Sequence, residues 1–144
     1  MNFEELYVYG LLLRVGLVTM SEYGKWLDKI YLSSDDESIV FELEDCSGDL
    51  NKTASLIDSI ALSKDIDFSI VGKLLFLKLE ELYYDSSIDF RKLSKYANSI
   101  WEMLPLDIAN EKPFYMLFYI YDILRDDEVV RARSLFLELF DYYR

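Results

Sequence analysis

The chain has 144 residues, the size of one domain, and its 52% hydrophobic and 16% aromatic content supplies a core and argues against intrinsic disorder. Its 15 Lys and Arg stand against 27 Asp and Glu, a formal net charge of −12, which argues against direct binding to bare DNA or RNA because phosphates need cationic contacts. Histidine is absent and Cys46 is the single cysteine, which excludes Ser-His and Cys-His nucleophile pairs, His-containing zinc or di-iron sites, internal disulfides and Cys-rich metal clusters.

Only five Gly and two Pro punctuate the chain, and apolar residues recur at three and four spacing. The pattern predicts an all-α, single-domain bundle of about seven to eight short helices over residues 1–144, with no linker. The first helix runs from Phe3 to Val15, with Asn2 as N-cap, Glu5 three residues on and Gly16 as stop. Thr19-Met20-Ser21-Glu22 has capping-box spacing and opens a second helix to about Leu32, with Trp26, Leu27 and Ile30 on one face. Ser34-Asp35-Asp36-Glu37 repeats the device and opens a third to about Cys46, and Gly48 closes that element. Asp49 or Asn51 caps a fourth, containing Leu56, Ile57 and Ile60.

Asp67 caps a fifth helix that carries Ile70, Leu74, Leu77 and Leu82 and ends near Tyr84. It is apolar on most sides, which predicts a central position. Ser87 caps a sixth, with Leu93, Tyr96, Ala97, Ile100 and Trp101 facing inward, and Pro105 ends it. Pro113 starts a seventh, Phe114 to Leu124. Asp126-Asp127 leads into the last, Glu128 to about Tyr143. Ile39 to Leu43 and Leu74 to Leu79 also suit short strands, and the flanking caps favour helix. Ile-Asp-Phe occurs at Ile66 and at Ile88, and each copy reads as a helix start rather than a repeat.

The apolar run from Leu6 to Met20 is broken by Arg14 and is too short to span a bilayer, and the start lacks the cationic opening of a signal peptide. A soluble, cytoplasmic protein with no membrane contact is the expectation. No EF-hand loop, Walker loop, dinucleotide fingerprint or nucleophile elbow occurs, so no cofactor, metal or catalytic residue is expected and an enzyme is disfavoured. Cys46 reads as an inert, partly buried thiol. Carboxylates are the abundant polar groups. Two clusters are the candidate contact surfaces: Asp35, Asp36 and Glu37 with Glu42, Glu44, Asp45 and Asp49, and Glu80, Glu81 and Asp85 with Tyr83 and Tyr84. The simpler reading of such clusters is capping and solvation. Tyrosine is unusually frequent, at 12 residues. Tyr119 reads as core, while Tyr83, Tyr84, Tyr142 and Tyr143 also suit an interface.

Several segments carry a resemblance. Glu5-Leu6-Tyr7 and Tyr9-Gly10-Leu11 are followed by Gly16-Leu17-Val18, and a helix start at Glu22 to Lys25 leads into Trp26-Leu27-Asp28-Lys29-Ile30. Ile39-Val40-Phe41-Glu42-Leu43 and a helix with Leu50, Leu56 and Ile60 come after. Over roughly the first 60 residues this resembles the small all-helical bacterial immunity proteins of polymorphic toxin and contact-dependent growth inhibition systems. Leu27 stands where those proteins often have Ala. The resemblance implies a cytoplasmic protein that binds a cognate toxin domain and covers its active site or substrate surface without catalysis. Charge adds that the toxin is basic and nuclease-like. The alternative is a helical adaptor or secretion chaperone that holds an amphipathic segment.

Overall fold

In the computed structural model, residues 1–33, 37–85 and 87–144 are described. Among them the fold is all-α, as the spacing predicts, with nine helices rather than seven to eight and no strand. The contacts group into two compact units, Met1–Asp67 and Phe68–Arg144.

The first unit contains α1 (Phe3–Val15), α2 (Met20–Ser33), α3 (Glu37–Asp45) and α4 (Leu50–Leu62). The Asn2 side chain accepts from the Glu5 N–H at 2.9 Å, and Gly16 ends α1 at φ 83°, a left-handed turn that only glycine adopts without strain. Thr19 Oγ1 accepts from the Glu22 N–H at 3.1 Å, and Asp49 accepts from the Lys52 N–H at 3.1 Å. The predicted cap at Ser34, Asp35 and Asp36 lies outside the described residues.

Leu6, Val8, Leu11, Leu12 and Leu13 are buried around most of the circumference of α1. Gly10 lets α4 approach: a Cβ there would stand 2.9 Å from Ile57 Cγ2. Arg14 and Asp58 close the same contact at 2.5 Å. Tyr9, Tyr23 and Trp26 form an aromatic group between α1 and α2, with the Tyr9 and Trp26 rings 4.6 Å apart. Val40 and Leu43, three residues apart, are fully buried and turn one face of α3 inward. Thr53 on α4 donates to the Cys46 carbonyl at 2.8 Å.

The second unit contains α5 (Phe68–Tyr84), α6 (Phe90–Met103), α7 (Leu106–Ala109), α8 (Tyr115–Arg125) and α9 (Val129–Asp141). The four-residue α7 was not expected. Pro105 stops α6 and precedes α7, whose end is held by the Trp101 indole donating to the Ala109 carbonyl at 2.8 Å. The cap of α6 is Asp89, which accepts from the Arg91 N–H, rather than Ser87, whose own N–H donates to Asp85.

Although α5 is apolar on most sides, it turns one face inward. Val71, Gly72, Leu75, Phe76 and Leu79 are buried, whereas Ile70 and Leu77 are 40% and 52% exposed. Gly72 belongs inside because the Tyr143 and Phe114 rings lie where its Cβ would be, at 2.6 Å and 3.0 Å. The core of the unit is aromatic, with Tyr83 and Phe136 each in ring contact with the other and with both Phe90 and Phe140. Tyr119 is half-buried rather than core, and its hydroxyl accepts from Arg131 at 2.9 Å.

Candidate functional site

The negative charge is unevenly divided. Residues 1–67 hold 14 Asp and Glu against five Lys and Arg, a net −9, while residues 68–144 hold 13 against ten, a net −3. Within the first unit the stretch 30–51 contains seven carboxylates and no cation. That stretch spans the end of α2, all of α3 and the start of α4.

Helix α3 presents these charges in a particular way. With Val40 and Leu43 inward, its outer face carries Phe41, Glu42 and Asp45, all exposed. Glu42 and Asp45 have no ion-pair partner among the described residues. Glu42, Glu44 and Asp45 occupy the last turn of α3, which has no basic residue. Carboxylates at a helix C-terminus face the negative end of the helix dipole and destabilise it. Capping therefore explains Asp49, which does cap α4, but not these three.

Glu44 is half-buried beside Asp28 of α2. Burial pushes its carboxyl above the ordinary value of 4.5, and the hydrogen-bonded, like-charged Asp28 pushes it further. Ionising Glu44 therefore costs the folded state, and its contribution to stability falls as pH rises through its raised pKa. Asp28→Asn should bring the Glu44 midpoint partway back and flatten that part of the stability profile above pH 4.5. A carboxyl-detected NMR titration with denaturant melts upward from pH 4.5 checks this, and an unmoved midpoint would show that burial alone sets it.

Two aromatic side chains stand in the same acidic region and went unnoticed in the sequence. Phe41 is 57% exposed, and Tyr31 packs edge-on against it with centroids 5.7 Å apart. Leu32 beside them is 84% exposed. The signal was available: Val40 and Leu43 fix the inner face, so Phe41 has to point elsewhere. The exposed aromatic pair places apolar area among the carboxylates of this face.

The remaining predicted residues divide. Asp35 and Asp36 lie outside the described residues, and of Glu37 only the backbone is described, at the start of α3. The second cluster is not a free acidic surface. Glu80 is salt-bridged to Arg144, Glu81 to Lys78 at 3.8 Å, and Asp85 accepts from the Ser87 N–H. Tyr83 belongs to the aromatic core, with its hydroxyl accepting from Arg133 at 3.4 Å. Glu81, Tyr84 and Asp85 are exposed, Tyr84 at 67%, whereas Glu80 and Tyr83 are half-buried. Cys46 is half-buried, its thiol donating to the Leu43 carbonyl.

Among the described residues no group of three or more Cys, Asp and Glu is placed to hold a metal ion, and no helix is long and apolar enough to cross a membrane. What these features define is an all-helical protein with one strongly acidic, aromatic-studded surface. No model of a known protein family, no curated protein and no solved structure matches the chain, so its function is read from that surface.

Proposed function

We propose that this chain is an immunity-type inhibitor. It binds a cationic, nuclease-like toxin domain in the cytoplasm through the outer face of α3 and the adjoining end of α2, and blocks it without catalysis. The observation that carries this reading is the set of carboxylates in the last turn of α3. They sit where they cost the helix stability, two of them unpaired and one forced against Asp28. A strongly cationic partner removes that cost on binding. Complementary fields also speed the encounter, with k_on up to ~10⁸–10⁹ M⁻¹s⁻¹ at low salt. Phe41 and Tyr31 supply the apolar centre that charge alone lacks.

The test is co-expression with the C-terminal domain encoded by the neighbouring gene. That domain should be lethal alone and harmless together with this chain, and the two should co-purify as a complex that weakens as salt rises. A harmless neighbour that forms no complex rejects the reading. A complex indifferent to salt points instead to a chaperone holding an amphipathic segment.

A further inference from the structure

We propose that the second unit holds a ligand site, a pocket at the start of α6 that takes a carboxylate carried on an aromatic body. The proposal concerns this unit alone and stands whether or not the toxin reading holds.

Arginine pairing singles the place out. Arg14, Arg91, Arg125, Arg131 and Arg144 each meet a carboxylate at 3.9 Å or closer. Arg133 is the remaining arginine, and among the described residues no carboxylate pairs with it, in a chain with 27 Asp and Glu. Its guanidinium is nonetheless held in place. It lies over the Phe90 ring, 4.3 Å from the centroid, and donates to the Tyr83 hydroxyl at 3.4 Å. A cation–π contact consumes no N–H donor and Tyr83 takes one, so donors remain for a planar anion.

Arg133 stands at a pocket of about 330 Å³. That volume falls within the roughly 300–1,000 Å³ of small-ligand sites. Tyr83, Tyr84, Ile88, Phe90 and Leu93 form most of the wall, an aromatic and aliphatic seat for the body of a ligand. Charge selects the head group. Helix α6 is 14 residues long and begins at this wall, so the positive end of its dipole adds to Arg133. Lys92 and Lys95 of the same helix are exposed and have no ion-pair partner among the described residues. Asp85 also lines the pocket, where its carboxylate accepts from the Ser87 N–H. One unpaired guanidinium beside one carboxylate favours a monoanion over a phosphate dianion, whose second charge would meet Asp85. A carboxylate bearing a ring satisfies both the wall and the charge. A free small acid and the aromatic C-terminal residue of a peptide present that same chemistry.

Titration of the full chain with phenylacetate at constant ionic strength tests this, read at the Nε–Hε NMR signal of Arg133 and the ring signals of Tyr84. Both should shift and saturate, with a Kd of about 1–10 mM for so small a ligand. Phenylacetamide, the same body without the charge, and inorganic phosphate should each bind at least tenfold more weakly. Arg133→Gln should abolish saturation, and Arg133→Lys, which keeps the charge and loses the fork, should weaken binding several-fold. Arg133 is exposed, so both variants should fold as the wild type does. Asp85→Asn keeps an acceptor for Ser87 and removes the like charge, so it should tighten binding. N-acetyl-L-phenylalanine separates the sources. Binding at least tenfold tighter than phenylacetate assigns the site to a chain terminus, and anything less assigns it to a small acid. No saturation by ~50 mM phenylacetate, equal binding of phenylacetamide or phosphate, or wild-type affinity in Arg133→Gln would each overturn the proposal.

Discussion

Glu42→Lys with Asp45→Lys should make the free protein more stable and its complex with a cationic partner much weaker. Both residues are exposed on the last turn of α3, and neither has an ion-pair partner among the described residues to lose. Lysine there meets the negative end of the helix dipole, worth a few tenths of a kcal/mol to about 1 kcal/mol for each residue. The same change sets two cations against a cationic surface, and like charges across an interface cost several kcal/mol, roughly a hundredfold or more in affinity. Most of the loss at low salt should appear in k_on, and the salt dependence should shrink. Thermal melts and surface-plasmon kinetics on the same preparation decide the matter. Opposite signs are the diagnostic outcome, because a structural role for these carboxylates would move stability and affinity together. A variant that is more stable and binds as before would place the contact elsewhere.

The helical layout was legible because the caps are local. Asn2 and Gly16 bound α1 by contacts within a few residues, and the same holds for Thr19 and Asp49. Asp89 was missed as a cap because Ser87 stands two residues before it with an equal claim, and the choice turns on which N–H each meets. The phase of α5 was illegible for a different reason. Nearly every residue from Ile70 to Leu79 is apolar, so the pattern carries no direction. What sets the direction is Gly72, which must face in to admit Tyr143 and Phe114 from more than forty residues away. The candidate surface shows the same division. Charge density marked both stretches, but the contacts that Arg144 and Arg133 make with Glu80 and Tyr83 come from far along the chain and leave no local trace. Adjacent tyrosines also part company: Tyr83 turns into the aromatic core while Tyr84, about 100° further round the helix, faces out.

Two phenylalanines sharpen that division into a test. Phe136→Ala should cost about 3–5 kcal/mol of stability, the range for truncating a buried aromatic. Its ring is fully buried on α9, 5.7 Å from Tyr83, 5.6 Å from Phe90 and 5.6 Å from Phe140 by centroid. These neighbours are anchored on α5, α6 and α9 and hold one another, and Arg133 stacks over Phe90 at 4.3 Å. Such a frame collapses only partly when the central ring is removed, so a cavity remains. The loss is a large part of the 5–15 kcal/mol that holds a typical domain together. Phe41→Ala should behave in the opposite way. More than half of that ring is exposed and its main aromatic contact is Tyr31, so folding should lose no more than about 1 kcal/mol. As an interface anchor it should cost at least about 2 kcal/mol of binding, some thirtyfold in affinity. Denaturant midpoints at constant slope measure the first quantity and titration calorimetry the second. The crossed result, stability lost at Phe136 and affinity lost at Phe41, separates a packing role from a contact role. If Phe41→Ala weakened binding only in proportion to its effect on folding, α3 would be scaffold, and the acidic face would serve solubility rather than recognition.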